Sequence, residues 1–409
     1  MKGRTQTFLA LIVVAVGLLL AAIVGLFAYM SATATPLHPD LQSVPSVTGF
    51  APSRKWGNAV DRGRQIVRAG LTEQNLPGLS VAVGVGGDIV WAEGFGWVDL
   101  ENRVPVAPHL RFRIGTASTV LTSAAVGLLL EKGRLNLDDE IQTYVPEFPK
   151  KQWPVTLRQL MGHLAGVRTD GGDEGPLFSQ HCERPVEALP FFAERSLLFE
   201  PGTQYRYSSY GWILVSAAVE AAADEPFFTF MRKQVFEPLG MDDTSADAEP
   251  VPDRAIYYFP RFGADPRYGL HLMRTIDYSC YAGSSAFLST PSDLVRFGMA
   301  ITSGLRQGFG PQGGKLLQPA TLQVLQTPQR LSSGQETGYG LGWDLETVAM
   351  ADEQTRLAGH DGESLGGMVA SLMTFPDGLV VAVTSNISYA DTFSIGVKIA
   401  QGFAEQEQH

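Results

Sequence analysis

The 409-residue chain has only two cysteines, Cys182 and Cys280, and no Cys/His spacing of the zinc-binding kind. No metal site and no cofactor are expected. Positive charge is also scarce: 31 Lys and Arg stand against 42 Asp and Glu, a formal net charge of −11. A nucleic-acid partner needs a basic face against phosphate, so that class is excluded. The acidic stretch DGGDEG, Asp170–Gly175, lacks the ligand spacing of a calcium loop and reads as a surface loop. With 44% hydrophobic residues the bulk of the chain is globular rather than disordered.

Charge is missing altogether from Phe8 to Met30, FLALIVVAVGLLLAAIVGLFAYM, 23 residues and enough to cross a bilayer as one helix. Lys2 and Arg4 precede it and the first charge after it is Asp40. The positive-inside tendency therefore leaves residues 1–7 cytoplasmic and exports the chain beyond Met30. A cleaved signal peptide is the alternative, given the small residues of SATA. The apolar run exceeds the roughly 7–15 residues of a signal-peptide core, which favours a retained anchor over 8–30. Residues 31–55 carry Pro36, Pro39, Pro45 and Pro52 among Ser and Thr and read as an extended tether. Export permits a Cys182–Cys280 disulfide, with two unpaired buried thiols as the other outcome.

The globular part, 56–409, opens with an amphipathic helix near Asn58–Thr72. GLSVAVGV and DIVWAEGFGWVDL come next as a hairpin around Gly86-Gly87. A helix after Thr116 is apolar on every side and should be buried. From about 120 to 300 the chain reads as helices and long loops: TLRQLMGHLAG, PVEALPFFAERSLL, GWILVSAAVEAAA, PFFTFMRKQVFEPLG and PSDLVRFGMAITSG. Strands return in GYGLGWDLE, GGMVASLMTFP and GLVVAVTSN, and a helix closes the chain over about 391–405. The class is α+β, with both ends pairing into one antiparallel sheet around a helical middle.

Several segments, in order over roughly 350 residues, carry a resemblance: FRIGTAST, GRLNLDDEI, LRQLMGHLAGV, PGTQYRYSSYGW, AGSSAFLSTPSDLVRFG, YGLGW and GHDGESLGG. From about residue 57 onward the chain resembles the serine β-lactamase and penicillin-binding-protein superfamily. It is most similar to class C-like esterases, D-alanyl-D-alanine carboxypeptidases and serine β-lactamase-like proteins, whose fold is implied with it. In that family a Ser-x-x-Lys turn supplies the nucleophile and its base, because residues i and i+3 share a helix face. A Tyr-x-Asn-type loop assists proton transfer, and a strand motif (Lys-Thr-Gly or His-x-Gly) completes the cleft. Backbone N–H groups at the nucleophile and just past the strand motif make the oxyanion hole.

Carried over by position, the resemblance puts Thr116 in the nucleophile slot and Thr119 in the lysine slot. Tyr207 takes the tyrosine slot, with Ser209 where Asn is usual, and His360-Asp361-Gly362 the strand motif. Ser209 and Gly362 are implied to contact substrate, and Thr116 and Glu363 to supply the oxyanion N–H groups. The first motif thus fails twice, and no Ser-x-x-Lys occurs elsewhere. Ser118 does not replace it: two residues along a helix turn a side chain by about 200°. Thr119 cannot act as a base, because its hydroxyl does not ionise near neutral pH. His360, as an imidazole, is the residue suited to that work, with Tyr207 beside it. Losing a general base costs a factor of roughly 10² to 10⁴, so the implied activity is slow acyl hydrolysis of an ester or peptide. The other implied outcome is an inactive descendant that binds a ligand or self-associates. Each residue also has a plainer role: Thr116 and Thr119 as helix-start residues, Tyr207 as a packed aromatic, His360 in local hydrogen bonds, and His163 pinning the turn after its helix.

Overall fold

A computed structural model describes the chain apart from residues 1, 51–53, 170–175, 248–250, 275, 303–315, 351–352, 365 and 408–409. The loop expected at Asp170–Gly175 lies outside the described residues. In chain order the principal elements are helix α1 (Lys2–Thr33), strand β1 (Ser46–Phe50), helix α2 (Gly57–Gln74) and strands β2 (Gly78–Val85) and β3 (Asp88–Asp99). Helices α3 (Ser118–Glu131), α4 (Ser209–Ala223) and α5 (Pro291–Thr302) come after them. Strands β4 (Asp344–Met350), β5 (Glu353–Ser364), β6 (Met368–Thr374) and β7 (Val380–Ser385) and helix α6 (Thr392–Glu407) complete the order.

One antiparallel sheet runs β1-β3-β2-β7-β6-β5-β4. Its centre joins the two ends of the domain, with Val81 opposite Val383. The side-chain period of two sorts the strands onto two faces. Val81, Val83, Val381, Val383 and Met373 pack under the terminal helices α2 and α6, where Trp91 stacks on Phe403. Ala82, Val380, Ala370 and Leu372 face the opposite way, into the core shared with α3, α4 and α5. Helix α3 runs through that second core with Ser118 to Gly127 all buried. Such an all-round apolar helix is stable only inside a protein.

Five expectations are corrected. The 31–55 stretch is not simply an extended tether. Helix α1 continues to Thr33, and Ser46–Phe50 forms the edge strand of the sheet against β3. Val44 and His38 are buried there. PVEALPFFAERSLL gives only a 3₁₀ segment, Pro185–Phe191, because Pro190 removes an N–H donor from the helix interior. PFFTFMRKQVFEPLG breaks into α, π and 3₁₀ turns over Phe227–Leu239, the last ending at Gly240 with φ +63°. In GYGLGWDLE the strand starts only at Asp344, since Gly338 (φ +75°) and Gly342 (φ +91°) turn the chain before it. The middle is also less purely helical than expected, holding a small sheet of Phe112–Arg113, Ser245–Ala246 and Phe287–Ser289.

Candidate active site

Gly115, at φ +53°, lets the chain turn sharply from the Phe112–Arg113 strand into a 3₁₀ turn, Gly115–Ala117, that feeds α3. Thr116 sits on this turn. Strand β5 runs alongside, and Gly362 is where the two backbones touch. A Cβ added there would lie 1.8 Å from the Ile114 carbonyl oxygen and 2.8 Å from the Ala117 nitrogen. The glycine of the His-Asp-Gly motif is therefore a packing necessity, whatever contact it makes with a ligand.

The pairing of β4 with β5 ends at Asp344 opposite Gly359. Beyond Gly359 that edge of β5 carries no strand among the described residues, and the Thr116 turn packs there instead. The Thr116 hydroxyl donates to the Asp361 carbonyl at 3.0 Å, so Asp361 presents its backbone polar groups to this open edge. Residues two apart on a strand point the same way, which directs the Glu363 N–H to the same edge.

The imidazole of His360 is 4% exposed and shares that acceptor: Nδ1 lies 2.6 Å from the Asp361 carbonyl. A carbonyl only accepts, so Nδ1 carries the hydrogen, and in the neutral ring Nε2 is left as the acceptor. The Tyr339 phenol, 2.9 Å from Nε2, is then the donor. Tyr339 is fully buried, and burial above all raises its pKa well above the usual tyrosine range, with Tyr207, Asp344 and Tyr205 adding to the rise. Thr119, in the lysine slot of the resemblance, donates its hydroxyl to the Thr116 carbonyl at 2.9 Å.

Tyr207 is within reach of the same group, its ring 6.3 Å from that of His360. Its loop is held by His163, whose ring lies 4.1 Å from the Tyr207 ring and whose Nδ1 accepts the Ser208 N–H at 3.1 Å. Burial above all holds the His163 pKa well below its usual value, so it stays neutral and keeps that acceptor. Ser209 is buried in the first turn of α4, behind the N-cap Ser208. Ser118 is fully buried and its Oγ has no hydrogen-bond partner. Cys182 and Cys280 form a disulfide with Cα atoms 4.8 Å apart. No group of three or more His, Cys, Asp or Glu suited to a metal occurs among the described residues.

Asp361 turns its side chain to the other face of the sheet, opposite Ser371. Burial pushes its carboxyl up to about 7, against the hydrogen bond from Ser371 and with help from Asp344, Glu346 and Asp391. Sequence reasoning missed Tyr339, although YGLGW was among the segments of resemblance. A tyrosine between glycines before a strand was a signal without a role, because only the folded chain brings residue 339 to His360.

A family model described as Beta-lactamase matches residues 64–401. The serine beta-lactamase-like protein LACTB, mitochondrial, of Bos taurus is 28% identical over 451 residues, covering 86% of this chain and 80% of its own. Penicillin-binding protein 4* of Bacillus subtilis is 25% identical over 295 residues, 69% of this chain and 62% of its own. The solved D-amino acid amidase from Ochrobactrum anthropi SV3, complexed with L-phenylalanine amide, superposes with a TM-score of 0.69. It is 21% identical over 86% of this chain and 99% of its own, and shows the same fold.

Proposed function

Because the chain belongs to the Beta-lactamase family, we propose that its site is an acyl-binding cleft of the serine-hydrolase type whose nucleophile position is no longer activated. It takes up a small-molecule or peptide acyl compound and does not turn it over at a hydrolase's rate. One observation carries this reading: the proton of the Thr116 hydroxyl is directed at the Asp361 carbonyl, an oxygen that cannot accept it as a base. The other candidate acceptors are committed elsewhere. His360 donates from Nδ1 to the same carbonyl and holds the Tyr339 hydroxyl at Nε2, and Thr119 has no ionisable group. The binding half of the site is supported by the Thr116 turn lying along the open edge of β5. The N–H groups of Thr116 and Glu363 would there receive a carbonyl oxygen.

Restoring the lost groups tests the reading. A Thr116→Ser/Thr119→Lys double variant should gain at least roughly 10²-fold in ester hydrolysis over the unmodified chain, the scale of a regained general base. A double variant as inert as the parent would show that the cleft no longer admits an acyl compound.

The 23-residue span Leu11–Thr33, about 34 Å at 1.5 Å per residue, is long enough to cross a bilayer. We read it as an anchor that leaves the domain on the exported side. Lys2 and Arg4 before it and the Cys182–Cys280 disulfide support that side, since such bonds persist in oxidising compartments. Resistance to alkaline carbonate extraction, with protease access to the domain only from the exported face, checks it.

A further inference from the structure

The chain leaving α1 is fastened to the domain. The Asn75 side-chain amide donates to the carbonyls of Thr35 and Pro266, each at 3.4 Å, and its Oδ1 accepts the Leu37 N–H at 2.8 Å. His38 is buried with Nε2 3.1 Å from the Leu76 carbonyl. Inside the span itself, Phe27 and Tyr29 meet Tyr268 and Phe262 edge-on, with ring centroids 5.6 and 6.4 Å apart. The Arg261 guanidinium lies over the Tyr29 ring at 6.0 Å. Tyr29 precedes the end of the span by four residues, about 6 Å along a helix axis. If α1 spans a membrane, the 261–268 loop is therefore in the headgroup layer, where aromatic rings and arginines belong.

Between that loop, α2 and α6 opens a cleft of about 650 Å³, with Ile66 and Ile395 among its lining residues. Its charged lining is of both signs: Glu73, Asp265 and Asp391 against Arg267 and Lys398. Arg267 is neutralised by Asp265 at 2.6 Å, and an Asp391 carboxylate oxygen caps the Ser394 N–H at 2.9 Å. Lys398 and Glu73 enter no ion pair among the described residues. An anionic ligand would face uncompensated carboxylates there, and a simple cation would face the ammonium of Lys398. A ligand carrying both charges satisfies both.

We infer that this cleft binds the headgroup of a zwitterionic phospholipid, its phosphodiester toward Lys398 and its primary ammonium toward Glu73 and Asp391. The inference rests on the membrane-spanning reading of α1. Bound lipid would seat the domain on the bilayer surface.

The test uses the full chain, extracted in mild detergent and offered equal phosphatidylethanolamine and phosphatidylglycerol, with retained lipid counted by native mass spectrometry. The expected result is preferential retention of phosphatidylethanolamine. Lys398→Ala and Glu73→Ala should each cut it about tenfold, the loss of one charge-assisted hydrogen bond. Both variants should keep the parent's thermal midpoint and stay in the pellet after carbonate extraction. Equal retention of the two lipids, or retention unmoved by the variants, overturns the headgroup site while leaving the anchor standing. Release of the unmodified chain by carbonate overturns the anchor and the site with it. Stabilisation by free phosphoethanolamine equal to that by the lipid would assign the cleft to a soluble ligand and overturn the lipid reading.

Discussion

Asp361 links the two faces of the sheet through one residue: its carbonyl takes hydrogen bonds from Thr116 and His360, while its half-buried carboxyl faces the far side. With a folded pKa of about 7 against an ordinary 3.8, the native state holds this proton more tightly than the unfolded chain does. The stability it contributes is complete below the ordinary value and is lost as pH rises through about 7. Thermal midpoints should therefore fall between pH 5 and pH 8, and Asp361→Asn should flatten that slope; an unchanged slope would place the titration elsewhere. At the site, Tyr339→Phe removes the donor to His360 Nε2 at 2.9 Å. It should cost about 1–2 kcal/mol in chemical denaturation, the scale of a buried hydrogen bond left unpaired.

Strand β5 and the Thr116 turn meet so closely at Gly362 that no side chain fits. Gly362→Ala should destabilise by about 3 kcal/mol or more, because the atom in the way is backbone and cannot swing aside. Urea denaturation of the variant measures it. The sheet and the buried α3 were legible because alternation and all-round apolarity are local properties of the sequence. The breaks at Pro190 and at Gly338 and Gly342 were visible as residues, yet helix-like and strand-like patterns around them masked their effect. The site was partly legible. Thr116, His360 and Tyr207 stand in motifs of recognisable order, and the structure brings them to one place. Tyr339 was not legible, because its role comes from the turn that returns it to His360. The fastening of residues 35–38 was hidden for a similar reason: a proline-rich stretch reads as a tether until Asn75 is seen to hold it.

Over the whole molecule, the Cys182–Cys280 bond closes a sequence separation of 98 residues. Its loss should cost about 4–5 kcal/mol by the chain-entropy estimate for a loop of that length. A Cys280→Ser variant with an unchanged midpoint would show that the bond carries no such load. The Asn75 fastening sets how the domain sits: Asn75→Ala should speed proteolysis within residues 34–45 without lowering the midpoint by more than about 2 kcal/mol. The proposed function holds that the molecule keeps an acyl cleft and lacks an acceptor for the Thr116 proton. The most direct measurement of that is intact-mass analysis of the unmodified chain after prolonged exposure to an activated ester or a fluorophosphonate probe. The account predicts no added mass on the chain, and an adduct mapped to Thr116 forming at the rate of an ordinary serine hydrolase would contradict it.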